Sequence, residues 1–293
     1  MKIAIAVLIC LILDAATFIG LAQSAGQTNY TWSAGGDGAT WNQAANWKQG
    51  IAPPANGTAY KIETSGTGVP KSQITIAAAD VMVMNDSLFG PAWGQTLNIY
   101  GRVTCGFGEF VWGDARSGTT TLNLYSNATL TLKDTLALGT AWWFAGGSNV
   151  VMNVHDQAQV NTVWLQFGGR LNLYGGTVNV TGDFNTGSPT DPVFEGGMDS
   201  DATRAINLAG GTLVLPAGYS DTVKDWIARG IVLAGGVPGS DTNVAIDETD
   251  TNWPDRTVVK AKLATSTLNQ PIPADVNVTP SAVTNSPSEK TVK

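Results

Sequence analysis

Apolar and polar residues alternate over much of the chain, and one alternating triplet recurs. In each of five copies an Asn lies between two apolar residues, and successive copies begin 19 to 35 residues apart. A turn and a second alternating stretch follow most copies, as in residues 171–180 and 206–215. Alternation with period two predicts β-strands, and repetition of a strand–turn–strand unit is typical of repeat proteins. The triplets, each expected to open a strand, are Leu97-Asn98-Ile99, Leu122-Asn123-Leu124, Met152-Asn153-Val154, Leu171-Asn172-Leu173 and Ile206-Asn207-Leu208.

Each unit has an apolar face that only a neighbouring copy can cover, which predicts an all-β fold, a β-solenoid of stacked parallel strands. A short helix is expected over 221–229, because Asp221 can cap its start and Gly230 can end it. Further strands are expected at 74–76, 81–84, 136–138, 163–167, 231–233 and 257–262.

Composition agrees with short strands joined by tight turns. Charged residues are 13% of the chain, and 34 of its 293 residues are Gly. The net charge of −7 excludes nucleic acid as the expected partner, because binding phosphates requires clustered Lys and Arg.

The first 25 residues resemble a secretory signal. Lys2 precedes the apolar run 3–13, and small residues near Ala22, Ser24 and Ala25 offer cleavage sites. The run is short for a bilayer span, so no membrane span is expected in the mature chain, with retained anchoring as the alternative. Cleavage would remove Cys10 and leave Cys105 without a disulfide partner. The expected location is extracellular or at the cell surface.

Three further segments follow the signal. Residues 26–60 hold Trp32, Trp41 and Trp47 among Gly-rich turns, and these rings are interpreted as a buried N-terminal cap, with sugar stacking as the alternative. Residues 61–263 carry the repeats. Residues 264–293 are rich in Ser, Thr and Pro and are predicted to be a disordered tail.

The Trp-rich segment carries a resemblance. Residues 32–47, with Gly-Gly-Asp-Gly and Asn46-Trp47, resemble the N-terminal Trp-Gly-Gly-Asp-Gly…Asn-Trp segment of secreted bacterial β-helix proteins with autotransporter-associated β-strand-type repeats, a planctomycete and verrucomicrobial group. Residues 173–184 resemble the Gly-Gly-Thr strands of the same group, and 225–236 resemble its closing helix and strand. The resemblance covers residues 30–262 and implies a single-stranded right-handed parallel β-helix.

The recurring Asn has two interpretations. Stacked at the strand spacing, the five amides can pass hydrogen bonds from copy to copy as a structural ladder. An outward row that binds water or sugar is the alternative. His155, the one histidine, occupies a repeat position where other copies have Tyr100, Tyr125 and Tyr174, so we interpret it as a surface residue and not as a catalytic one.

Two segments could carry chemistry. The insertion 183–204 contains several carboxylates, among them Asp199 and Asp201, which could bind Ca²⁺ or act as acid and base on a glycosidic bond. No cofactor is required by any motif. The stretch 139–147 contains Trp142 and Trp143, and Trp112 and Trp164 are expected on strands adjacent to it. These rings could stack on sugar faces, or they could instead seal the core.

No convergent catalytic set is evident in the sequence. The first functional hypothesis is therefore a secreted, non-enzymatic structural or adhesive protein of the cell surface or matrix, with polysaccharide or other surface proteins as partners. The second is a polysaccharide-binding or polysaccharide-cleaving protein.

Overall fold

The computed structural model describes residues 28–53, 59–63, 73–86, 94–107, 110–112, 119–138, 150–182, 193–195 and 205–262. The chain divides into two compact units, Met1–Lys262 and Leu263–Lys293, and all described residues belong to the first. This unit is all-β, with three mostly parallel sheets. Its described part also contains one 3₁₀ turn, Ala44–Asn46, and one α-helix, α1 (Ser220–Ala228).

The largest sheet has ten strands. Parallel pairing runs through its first eight strands, and its last two are antiparallel additions. In spatial order the strands are β1 (Thr28–Thr31), β2 (Ala59–Glu63), β4 (Val81–Asp86), β6 (Arg102–Phe107), β9 (Thr129–Leu132), β12 (Gln159–Thr162), β15 (Thr177–Val180), β18 (Thr212–Pro216), β22 (Arg256–Ala261) and β21 (Val244–Asp247).

The other two sheets have eight and four strands. The eight-stranded sheet contains, in spatial order, β20 (Val237–Pro238), β19 (Val232–Ala234), β17 (Ala205–Leu208), β14 (Arg170–Leu173), β11 (Val150–Val154), β8 (Thr120–Leu124), β5 (Thr96–Ile99) and β3 (Gln73–Ile76). The four-stranded sheet contains β16 (Val193–Glu195), β13 (Trp164–Phe167), β10 (Thr135–Leu138) and β7 (Phe110–Trp112).

The chain visits the three sheets in a constant order. From β5 to β16 it passes from the eight-stranded sheet to the ten-stranded sheet to the four-stranded sheet, four times in succession. Each new strand pairs in parallel with the strand of the previous round, as β11 does with β8. The prediction of an all-β fold with parallel pairing is confirmed. The prediction that the Asn triplet opens a strand is wrong, because in all five copies the triplet forms the strand's last three residues.

Alternate residues of strands such as β5, β11 and β14 fill a continuous apolar interior. In β14, Leu171 and Leu173 are fully buried, whereas Arg170 is exposed. The equivalent residues of the neighbouring strands, Val154 and Leu208, are also fully buried and pair with Leu173. Cys105 lies in the same interior, and burial raises the pKa of its thiol.

A cluster of aromatic rings covers the N-terminal end of this interior. Trp47 meets Trp32 and Trp41 edge to face, with ring centroids 5.1 and 4.8 Å apart, and its Nε1 donates to the Trp41 carbonyl oxygen. All three rings are at most 2% exposed, which confirms that they pack in the core. Thr40 forms a parallel bridge with Thr75 of β3, so the same segment also pairs with the edge of the eight-stranded sheet.

Asn46 and Asp37 hold the loop of this cap in shape. Asn46 is fully buried, accepts from the backbone N–H groups of Gly36 and Gly38, and donates to Asp37 Oδ1 at 2.7 Å. Asp37 also accepts from Thr40 Oγ1 and from two backbone N–H groups. These donors, led by the Thr40 hydroxyl, hold the pKa of Asp37 well below its usual range.

Helix α1 covers the C-terminal end. Its residues Val223 and Trp226 are buried in the core cluster. The expectation that Asp221 caps the helix is wrong, because Tyr219 is the N-cap and Asp221, inside the first turn, pairs instead with Lys224 at 2.9 Å. Gly230 follows the helix with a φ of +75°, as is common after a helix end. The antiparallel pairs β19–β20 and β22–β21 end the two larger sheets.

We expect Leu173→Ala to lower the free energy of unfolding by about 2–5 kcal/mol, because it leaves a cavity between two fully buried neighbours. Leu233→Ala is the matched control, since Leu233 is half-buried on the outward side of β19. Urea denaturation of both variants measures the difference. An equal cost for the two would contradict this placement of the core.

The low pKa of Asp37 predicts a pH dependence of stability. The unfolded chain holds a carboxyl with a pKa near 3.9, so folding releases a proton below that pH. The stabilisation by Asp37 is therefore complete above about pH 5 and is lost progressively as the pH falls below the unfolded pKa. Asp37→Ala should lower the melting temperature at pH 7, and its deficit should shrink on acidification. Asp241→Ala is the control, and a deficit that stays constant with pH would exclude this mechanism.

Candidate functional site

Two rows of side chains run across the outer face of the eight-stranded sheet. The strands pair so that Asn98, Asn123, Asn153, Asn172 and Asn207 all fall in register. The residues two positions after each Asn are also in register from strand to strand. The backbone N–H of each donates to the carbonyl of the last residue of the neighbouring strand, as Tyr125 N–H does to Ile99. This second row reads, in spatial order, Ala77, Tyr100, Tyr125, His155, Tyr174, Ala209 and Gly235.

The Asn row forms a hydrogen-bonded chain over four strands. The Nδ2 atom of each Asn donates to the Oδ1 atom of the previous one at 2.8 Å, from Asn172 through Asn153 and Asn123 to Asn98. Half-buried amides need such partners, since leaving them unpaired is costly. Asn207 lies opposite Asn172 but its Oδ1 accepts from the Gly236 N–H at 2.8 Å.

The second row is a stack of four aromatic rings. Tyr100, Tyr125, His155 and Tyr174 lie nearly parallel, with successive centroids 4.9, 4.7 and 5.0 Å apart and interplanar angles of 14° to 19°. These separations follow the spacing of neighbouring strands, about 4.8 Å. The two end rings are the more open surfaces, with Tyr100 38% and Tyr174 48% exposed. We call the Asn row and the ring row together the ring–amide face.

The ring–amide face carries little charge. A third outward row beside the Asn residues consists of Thr96, Thr121, Val151, Arg170 and Ala205. Arg170 is the one residue with a permanent charge among the outward positions of β5, β8, β11, β14 and β17. Recognition at this face would therefore depend on hydrogen bonds and ring contacts more than on ion pairing.

The two central strands of the four-stranded sheet, β10 and β13, have buried side chains on both sides. All residues of β10 are buried, and on β13 Trp164 is 7% and Gln166 1% exposed. Little of the Trp164 ring is thus open to a sugar. The Nε1 atom of Trp164 and both polar side-chain atoms of Gln166 are buried without a hydrogen-bond partner. Trp112 of β7 pairs with Leu138 of β10, and Trp164 lies on β13, so the two residues are on the strands that flank β10, which precedes the stretch 139–147.

The remaining sequence-based candidates cannot be placed. Trp142, Trp143, Asp199 and Asp201 lie outside the described residues. Within the described ranges, no three His, Cys, Asp or Glu side chains come together as a metal site. An open cleft of about 440 Å³ between α1 and the turn at 239–241 is lined by Lys224 and Asp241 among mostly apolar or small residues.

These features define an all-β protein with mostly parallel sheets and a periodic outer face. Protein-family models, curated proteins and solved structures were compared with the chain, and none matches it. No helix among the described residues is long and apolar enough to cross a membrane.

Sequence reasoning found both rows of the face and predicted hydrogen bonds along the Asn row, but it did not predict the contacts between the rings. The amide hydrogen bonds run from Asn98 to Asn172, and Asn207 does not take part in them. It gave His155 the same repeat position as three Tyr residues, and the structure stacks its ring between Tyr125 and Tyr174. The Asp37–Asn46 network was missed, although the Gly-Gly-Asp-Gly sequence signalled a tight loop that needs internal hydrogen bonds.

Removal of an inner amide should destabilise the protein. Asn153→Ala breaks two hydrogen bonds and leaves Asn123 and Asn172 each short of a partner, at an expected cost of about 1–3 kcal/mol. Asn127→Ala, in an exposed turn, is the control and should cost much less. Urea denaturation measures both, and equal costs would show that the row adds no stability.

Proposed function

We propose that the protein is a secreted, non-enzymatic structural or adhesive protein of the cell surface or extracellular matrix. The observation that carries this proposal is the ring–amide face, where the same side-chain chemistry is repeated along neighbouring strands. A repeated face suits attachment to an extended partner, whereas catalysis needs unlike groups that converge on one point.

The proposed scaffold is a right-handed parallel β-helix. The constant order in which the chain visits three sheets supports it, as does the parallel pairing between successive rounds. Connections between parallel strands are right-handed in nearly all proteins, which supports the proposed hand. The resemblance of residues 30–262 to secreted bacterial β-helix proteins points the same way, and the signal-like residues 1–25 support export.

The chemistry of the face supports binding over catalysis. Asn amides donate and accept hydrogen bonds but do not transfer protons at neutral pH. His155 is the residue of the face best suited to proton transfer, and both faces of its ring are covered by Tyr125 and Tyr174.

The alternative is a polysaccharide-binding or polysaccharide-cleaving protein. Its support lies in the aromatic residues Trp112, Trp142 and Trp143 and in the carboxylates of the insertion 183–204. A Ca²⁺ ion held by Asp199 and Asp201 belongs to this alternative, because oxygen ligands of this kind suit calcium.

One experiment separates the non-enzymatic function from polysaccharide cleavage. Purified protein is applied to columns of insoluble polysaccharides and of matrix proteins, and the eluates are assayed for released reducing and unsaturated sugar ends, with and without added CaCl₂. We expect retention on at least one matrix and no released ends. Released ends that require the protein would contradict a non-enzymatic function and favour the alternative.

Export has its own test. The full chain expressed in a bacterium that secretes proteins should appear outside the cytoplasm, with a new N-terminus near Ala25 by mass spectrometry. Uncleaved protein confined to the cytoplasm would contradict the proposed location.

A further inference from the structure

Both rows of the ring–amide face stop at the same place, between the neighbouring strands β14 and β17. We call the interval between two neighbouring strands a strand step. The ring row passes from Tyr174 to Ala209, and the next position is Gly235. The amide row reaches Asn172 and is not continued to Asn207, whose Oδ1 instead accepts from Gly236. Two independent rows thus end side by side.

This step leaves one ring face open. The phenol ring of Tyr174 stacks on His155 on one side, while on the other the next row position holds only the methyl group of Ala209. A methyl group covers a small part of a phenol ring, and Tyr174 is 48% exposed. Because Gly235 follows Ala209, two strand steps beside the ring, about 10 Å, carry no side chain larger than a methyl group.

Polar groups lie beside this open ring. Within the described part of the chain, neither Asn172 Oδ1 nor Asn207 Nδ2 has a hydrogen-bond partner in the protein, whereas the corresponding atoms of Asn123 and Asn153 are paired. One acceptor and one donor are therefore left at the level of the Tyr174 ring. Two charges of opposite sign lie nearby: Arg170, on the far side of Asn172, and Asp156, whose carboxylate accepts from the Ser126 N–H.

We propose that this step is a binding subsite for one pyranose ring of a neutral polysaccharide. The apolar face of the sugar would stack on Tyr174 above Ala209, and its hydroxyl groups would donate to Asn172 Oδ1 and accept from Asn207 Nδ2. A pyranose has both an apolar face and hydroxyls at its rim, which this combination of aromatic face, acceptor and donor matches. The low charge of the face favours a neutral sugar over an acidic one. The proposal rests on the adhesive function proposed above and names its partner.

The other copies of the repeat suggest the substitution that tests this subsite most directly. Ala209→Tyr would extend the ring stack by one member and cover the Tyr174 face with little disturbance of the fold, since the same position holds Tyr in three other copies. Ala77→Tyr is the matched control, because it extends the stack at its opposite end, beyond Tyr100. Tyr174→Ala removes the ring, and Tyr174→Phe keeps it.

The probes are hydroxyethylcellulose, xyloglucan, galactomannan and soluble starch in native affinity gels, with folding checked by circular dichroism. We expect at least one polymer to retard the wild-type protein, Ala77→Tyr and Tyr174→Phe. Ala209→Tyr should not be retarded, and Tyr174→Ala should bind roughly three- to tenfold more weakly. If Ala209→Tyr fails to fold, the subsite is tested by comparing Tyr174→Ala with Tyr174→Phe, and weaker binding by Tyr174→Ala alone supports it.

Two results would overturn the subsite. One is retardation of wild type by none of the four polymers, and the other is equal retardation of wild type, Ala209→Tyr and Tyr174→Ala. If wild type is still retained on matrix proteins in either case, the adhesive function stands with a different partner or surface. Sugar ends released by a protein whose binding needs Tyr174 would instead contradict the non-enzymatic function and leave the subsite standing.

Discussion

In-register stacking of parallel strands is the constraint on which the rest of this structure depends. Neighbouring strands lie about 4.8 Å apart, so equivalent residues of successive copies are brought within contact distance on both sides of a sheet. Inside, this stacks Val154, Leu173 and Leu208 into one apolar column. Outside, it gives amides a hydrogen-bond partner and aromatic rings a stacking partner in the four copies from β5 to β14.

The same constraint creates a difficulty at each end, because a parallel stack finishes in an unpaired strand edge and an open interior. At the N-terminal end the tryptophan cluster seals the interior, and Thr40 bridges to the edge strand β3. At the C-terminal end Trp226 closes the interior, while antiparallel strands complete the two larger sheets. Each end thus combines a buried indole with backbone pairing to a strand of a larger sheet, parallel at the N-terminal end and antiparallel at the C-terminal end.

Charge has a small part in holding the described fold together. The ion pairs Lys224–Asp221 and Arg229–Asp225 lie on the surface of α1, where such pairs contribute little. Other polar contacts are neutral, as in the Asn row and in the Asn46 amide, which satisfies two backbone N–H groups in a buried loop. Charged contacts away from α1 are the Lys260–Asp250 pair and the hydrogen bonds that Arg256 donates to the carbonyls of Val180 and Thr181. A protein with 13% charged residues can be stable in this way because its backbone hydrogen bonds continue from strand to strand.

The sequence by itself determined the strands, the direction in which their side chains point, and the repeat positions of Asn153 and His155, because alternation with period two is a local property of an extended chain. It also indicated that Trp32, Trp41 and Trp47 are buried, since indoles of this size among Gly-rich turns seldom remain in solvent. Only the tertiary structure decided that Trp164 is buried, that β10 separates it from Trp112, and that both outer rows stop beside Tyr174. These features depend on which residues meet between copies that begin 19 to 35 residues apart. Strand periodicity carries no information on how the segments between strands are accommodated, so it predicts an Asn row but not the copy at which that row stops.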